Sequence, residues 1–172
     1  MEKEIVISIE STDLSTRNGG RLLAIAALNF KTMQTFYHVF KQEKLISETA
    51  SMITGISNDM IQKMPVFDDK VEEFLEFICG SKLIFHNAPF DIEFINYELG
   101  VSKSNSLEKL EDICKVVDVL EIAKSRFHNQ CVSISCLLER LCIEPINEHP
   151  YLLNEVFNIK QVYGALTRET LT

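Results

Sequence analysis

The sequence predicts an α/β fold, a mixed five-stranded sheet with three antiparallel strands first, then parallel ones, flanked by helices. Three observations carry that expectation. The first 42 residues hold three apolar, β-branched or aromatic runs joined by short links. From residue 47 onward the apolar spacing turns helical. Two later short apolar runs, "SKLIFHN" and "CKVVD", each lead straight into a helical stretch.

Taken in order, "EIVISIES" is the first strand, and "RLLAIAALNF" the second after "STRNGG", whose Asn-Gly-Gly signals a turn. "TFYHVFK" alternates and is aromatic, which makes a third strand and an antiparallel meander. "SETASMITGISNDMIQKM" predicts short helical pieces broken at Gly55. "FDDKVEEFLEFICG" places Val71, Phe74, Leu75 and Ile78 on one helical face and stops at Gly80. After the buried strand "SKLIFHN", "PFDIEFINYELG" is a helix opening on Pro89 and closing on Gly100. "CKVVDVLEIAKSRF" is a strand running into a helix, and "SISCLLERLCI" is a further helix. In "PYLLNEVFNIKQVYGALTRE", Leu152, Val156, Ile159, Tyr163 and Leu166 step by four and three and form a core stripe. No repeat, low-complexity tract or linker interrupts residues 1–172, which are expected to form one domain.

The composition, 46% hydrophobic and 24% charged, is that of a globular chain. A net charge of −8 argues against a broad basic surface for duplex DNA. It leaves room for a narrow acidic cleft that meets nucleic acid through divalent cations. The five cysteines form no CxxC pair and are expected to be reduced thiols, mostly filling the core. The N-terminus lacks a secretory pattern and no apolar run is long enough for a membrane helix, so a cytoplasmic location without membrane contact is expected.

Three places carry chemistry. In "ISIESTD", Ser8 and Glu10 stand two apart and share one face of a strand end. "HNAPFDIEF" puts Asp91 in the first turn of a helix, where the helix dipole alone would favour an acid. "EHPYLLN" sets His149 just before a helix and Asn154 inside it. Lys124 and Arg126 are expected on a solvated face.

Together these stretches resemble the DEDD-type 3′–5′ exonucleases, and within them the DnaQ-like (DEDDh) branch of the proofreading ε subunit of bacterial DNA polymerase III. The resemblance runs through "IVISIESTDLS", "YHVFK", "TGISNDMIQKMPVF", "LIFHNAPFDIEFINYEL" and "HPYLLNEVF", nearly the whole chain, with "HNAPFD" its most specific block. It implies an RNase H-like fold whose site lies where the first strand, the "HNAPFD" helix and the last helix meet. It also implies that Glu10, Asp91 and His149 are catalytic and that Ser11, Thr12, Thr54 and Phe90 touch the substrate, a single-stranded DNA 3′ end. A core subunit of DNA polymerase III is the implied protein partner. In the ε branch the chain continues into a tail that docks on the polymerase; this sequence ends at Thr172, where the domain is expected to end.

Two positions depart from the pattern. The first motif, Asp-x-Glu-Thr in the family, reads Ser8-Ile9-Glu10-Ser11. The last motif, His followed by four residues and Asp, reads His149, "PYLL", Asn154. The sister branch uses Tyr, three residues and Asp, a spacing that Tyr151 and Asn154 do not have. In the family two divalent ions about 4 Å apart clamp the scissile phosphate. Mg²⁺ or Mn²⁺ is therefore the expected cofactor, with Glu10, Asp91 and Asn154 the remaining ligands. A Ser hydroxyl is a poor bridge and an Asn carbonyl brings no charge, so ion binding is expected to be weak or absent. Losing one ion would cost on the order of 10³-fold in rate. Asp13, Glu148 and Glu155 lie near the gaps in sequence. Glu155 is about 100° around the helix from Asn154, and none of the three is expected to fill in. Pro150 stiffens His149, and Tyr151 fills space that a nucleotide would use.

The expectation is thus a degenerate exonuclease fold with little or no nuclease activity that binds nucleic acid or a polymerase. A weakened but genuine metal-dependent 3′–5′ DNA exonuclease is the alternative, and a purely structural subunit the third possibility.

Overall fold

The computed structural model describes residues 2–103 and 109–168. Five strands form one sheet in the order β3-β2-β1-β4-β5. Strands β1 (Lys3–Ser11), β2 (Leu22–Asn29) and β3 (Thr35–Val39) are antiparallel neighbours, as the sequence predicts. β4 (Ser81–Phe85) joins β1 in parallel, and β5 (Lys115–Asp118) joins β4 in parallel.

The helices follow the expected breaks. α1 (Glu48–Thr54) ends at Gly55, which takes a left-handed φ of 71° that a side chain would resist. Ser57 caps the short α2 (Asn58–Ile61). α3 (Val71–Ile78) buries Val71, Phe74 and Ile78, whereas Leu75 is only partly covered. α4 (Ala88–Val101) runs through Gly100 rather than stopping at it, because its last amides still find carbonyls and Ser102 closes the ladder onto Glu98. α5 (Leu110–Ile113) is a single turn. α6 (Val119–Arg126) and α7 (Ile134–Arg140) start on Asp118 and Ser133 caps. α8 (Tyr151–Arg168) buries the whole expected stripe; Glu169, quoted in the same helical run, lies outside the described residues.

Side chains alternate across β1, so the sheet carries two cores. Ile5, Ile7 and Ile9 pack with Phe36, Phe74, Phe85 and Phe94 on the face covered by α3 and α4. Val6 packs with Ala24, Ala26, Val156 and Ile159 on the face covered by α8. Ser8 pairs with Ala26 and Glu10 with Ala24 across the β1–β2 ladder. β1 pairs with β4 only as far as Val6 and Ile84. Ser8 and Glu10 therefore project past the end of the parallel pairing, at the carboxyl ends of β1 and β4, where open α/β sheets leave a crevice.

The cysteine expectation needs correcting. Cys131 and Cys136 are disulfide-bonded, because the capped turn that opens α7 wraps the two residues to a Cα separation of 5.9 Å. Of the remaining thiols only Cys114 is buried; Cys79 and Cys142 are exposed.

Candidate functional site

The site grows from the free end of β1. Ser8 is 5% exposed, and it points, with Glu10, toward the α8 side of the sheet. Asp91, also 5% exposed, comes from the first turn of α4. That turn is held from outside. Asp118, at the end of β5, accepts the Asn87 and Ala88 amides at 3.0 and 3.1 Å and the Leu120 amide of α6 at 2.9 Å. Asn87 itself has φ of 82°, a left-handed conformation that Asn tolerates better than most residues. One carboxylate thus caps two helices, and Asp91 is left free to face the β1 end.

α8 delivers an unexpected acid. Glu155, not Asn154, is the α8 residue whose charge acts on Glu10 and Asp91. The Ser8 hydroxyl lies against it and favours its charged form. Helical phase accounts for this and could have revealed it in the sequence. At 100° per residue, Glu155 lies about 60° from Leu152 on the core stripe and Asn154 about 160°. Asn154 turns to the preceding loop: its Oδ1 accepts the His149 amide at 2.9 Å and its Nδ2 donates to the His149 carbonyl at 2.6 Å. The His149 ring stacks on Phe157 with centroids 5.1 Å apart.

The electrostatics follow this geometry. Burial pushes Glu10 up to about 7, with the Glu155 charge adding to it. Burial holds Asp91 well above the usual carboxylate range, reinforced in turn by Glu155, Asp118 and Glu10. Glu155 is raised by burial and partly relieved by Ser8. The Tyr151 hydroxyl is raised first by Glu155, then by burial and by Glu10. His149 contributes to none of these shifts. The fold therefore brings together Ser8, Glu10, Asp91 and Glu155, with Tyr151 beside them, and leaves His149 and the Asn154 amide outside.

Glu155 raises the proton affinity of Glu10 and Asp91, and Glu10 that of Asp91, so these acids suit a cation better than they suit each other. Yet among the described residues no three His, Cys, Asp or Glu side chains are grouped closely enough to hold one ion. The residues present do not fit a pair of divalent ions, because position 8 offers a neutral hydroxyl where a bridging acid is needed.

The expected substrate contacts are largely engaged within the protein. The Ser11 hydroxyl donates to the Asp13 carbonyl at 2.6 Å, and Thr12 Oγ1 accepts the Arg21 amide at 2.9 Å. Thr54 is buried, with its hydroxyl donating to Ala50 O at 2.8 Å. Phe90 packs on Phe94 at 5.2 Å. Beside the acids lies a cleft of about 790 Å³ whose lining includes His86, Ser133, Asn147, Tyr151, Asn154 and Glu155. His86, which the sequence gave no reason to single out, leaves its Nδ1 buried without a partner among the described residues, and burial lowers its pKa.

A sheet with this strand order, carrying acids at the end of β1, in the first turn of α4 and on the last helix, defines an exonuclease fold of the RNase H-like type. Comparison with known proteins agrees. The family described as Exonuclease (RNase_T) matches residues 5–150. A protein named DNA polymerase III subunit epsilon from Rickettsia felis is 32% identical over 170 residues, covering 96% of this chain and 74% of its own. The Salmonella typhimurium protein of the same name is 32% identical over 175 residues, covering 96% and 71%. The solved nuclease domain of 3′hExo, a DEDDh family member bound to rAMP, superposes with a TM-score of 0.70 at 14% identity, covering 98% of this chain and 92% of that one. Exonuclease X in complex with 5′ overhanging duplex DNA gives 0.69 at 17%, covering 98% and 94%. The chain belongs to the DEDDh (DnaQ-like) exonuclease family, and its homologues include ε subunits of DNA polymerase III. Among the described residues no helix is long and apolar enough to cross a membrane.

Proposed function

We propose that residues 1–172 act as one degenerate exonuclease domain that holds a single-stranded DNA 3′ end and cleaves it little or not at all. It works as a nucleic-acid or polymerase-binding module in the cytoplasm, with a core subunit of DNA polymerase III as protein partner. The observation that carries this reading is Ser8: buried on β1 and turned toward Glu155, it stands where the family motif has its bridging acid. Glu10 and Asp91 keep the motif, but their charges find neither a bridging acid nor a facing histidine. The relatives named as ε subunits support the polymerase setting.

One observation favours the alternative of a weakened nuclease. Tyr151 and Glu155 stand four apart on α8, the sister-branch spacing with Glu in place of Asp, and Glu155 restores one negative charge beside Ser8. Glu10, Asp91 and Glu155, which are not grouped closely enough to hold an ion as they stand, would then have to close in to serve as oxygen donors for a single Mg²⁺ or Mn²⁺.

A 3′-labelled single-stranded oligonucleotide with Mn²⁺, tested on the wild type and Glu10→Ala in parallel, separates the two. The binding reading expects a fluorescence-anisotropy signal for the oligonucleotide and no cleavage beyond that of Glu10→Ala. Cleavage that disappears in Glu10→Ala selects the weakened nuclease.

A further inference from the structure

Asn154 has a counterpart one turn further along α8. Asn158, 8% exposed, accepts the Ile146 amide at 2.8 Å and donates to the Ile146 carbonyl at 3.2 Å. Each carboxamide thus grips both peptide groups of one loop residue, Asn158 at Ile146 and Asn154 at His149. The loop before α8 consequently runs back along the helix like a strand against an edge. The chain uses the same device elsewhere: Asn58 accepts the Ile46 amide at 2.7 Å and donates to its carbonyl at 3.0 Å.

We infer that Asn154 and Asn158 form a two-rung clamp that fixes residues 146–149 along α8, seats the His149 ring on Phe157 and sets the outer wall of the cleft. Asn154 is then a positioning residue for that wall. It is not an ion ligand that has lost its charge. The chemistry requires a carboxamide, because a rung needs one acceptor and one donor on the same short side chain, and a carboxylate only accepts. Asn147 and Pro145, which line the cleft, lie on the clamped segment or directly before it. The inference stands on the chain's own contacts, and holds whether or not the cleft takes a DNA end.

It also reverses an obvious repair. Restoring acids at both departed positions, Ser8→Asp with Asn154→Asp, would remove the donor half of the upper rung while adding a charge about 100° around the helix from Glu155. Ser8→Asp alone should therefore bind Mn²⁺ at least as tightly as the double variant.

The test is nuclear magnetic resonance on the metal-free protein. In the wild type the His149 amide should be protected from exchange and the His149 ring protons shifted by the Phe157 ring current. Asn154→Ala, which removes both the acceptor and the donor, should speed exchange of the His149 amide by about tenfold and return the ring protons toward free-histidine positions, with Ile146 unaffected. Asn158→Ala should do the converse, speeding exchange at Ile146. An unprotected, unshifted His149 in the wild type would overturn the inference without any variant having to fold. So would an Asn154→Ala protein whose His149 signals do not move, or a double variant that binds Mn²⁺ more tightly than Ser8→Asp.

Discussion

Two helices begin at the site, and they begin in opposite ways. The first amides of α4 are capped from outside by Asp118, a residue of β5 that also caps α6. The start of α8 is tied by a residue of its own first turns, Asn154, reaching back to His149. With the cap supplied from elsewhere, the first-turn acid Asp91 is free to face β1. With its carboxamide bound to His149 in the preceding loop, the residue at the motif position is occupied, and the next residue inward, Glu155, takes its place in the site. A motif position carries a functional group to a site only when the neighbouring loop leaves that group unbound.

The strongest way to break the comparison is at Asp118. Asp118→Ala removes the acceptor for three amides at two helix starts. It should cost about 3 kcal/mol in urea unfolding. A cost below about 1 kcal/mol would mean that α4 does not depend on its external cap.

Next comes the charge of the acids that the two helices bring together. Glu10 titrates near 7 in the folded protein, above its ordinary value of 4.5. Between those values the folded state binds more protons than the unfolded one, so this group's contribution to stability falls as pH rises. It is fully present below the unfolded value and lost through pH 7. Glu10→Gln should flatten the decline in unfolding free energy between about pH 5 and 8 by roughly 1–2 kcal/mol, allowing for partial solvation of the carboxyl. Equal slopes in the two proteins would mean that the acids do not share one desolvated site.

The smallest effect is at the loop tied to α8. Asn154→Ala should cost about 1 kcal/mol, measured by the same unfolding, and should leave the Glu10 titration where it is. A shift of that titration would place Asn154 back among the acids.

The elements were legible in the sequence because their signals are local. The apolar run of β1, the breaks at Gly55 and Gly80, and the Leu152–Leu166 stripe all report on neighbouring residues along the chain. The β1 and "HNAPFD" parts of the site were legible for a similar reason: a strand alternates strictly, so Ser8 and Glu10 must share a face. At α8 two readings of the sequence differ: counting residues from His149 points to Asn154, whereas helical phase against the core points to Glu155. That phase was present in the sequence, in the placing of Glu155 beside Leu152, Val156 and Ile159. The loop path that occupies Asn154 was not.

The sequence by itself determined which chemical groups are available: a hydroxyl at position 8, a carboxamide at 154, acids at 10, 91 and 155. It determined the family too, through spacings that survive on single strands and helices. Only the tertiary structure decided which groups meet. Glu155 meets Ser8, Asp118 reaches α4 from the neighbouring strand, His149 is drawn onto Phe157, and Cys131 finds Cys136. The physical reason is that side-chain direction at a helix start depends on which loop packs against it and on who satisfies its free amides.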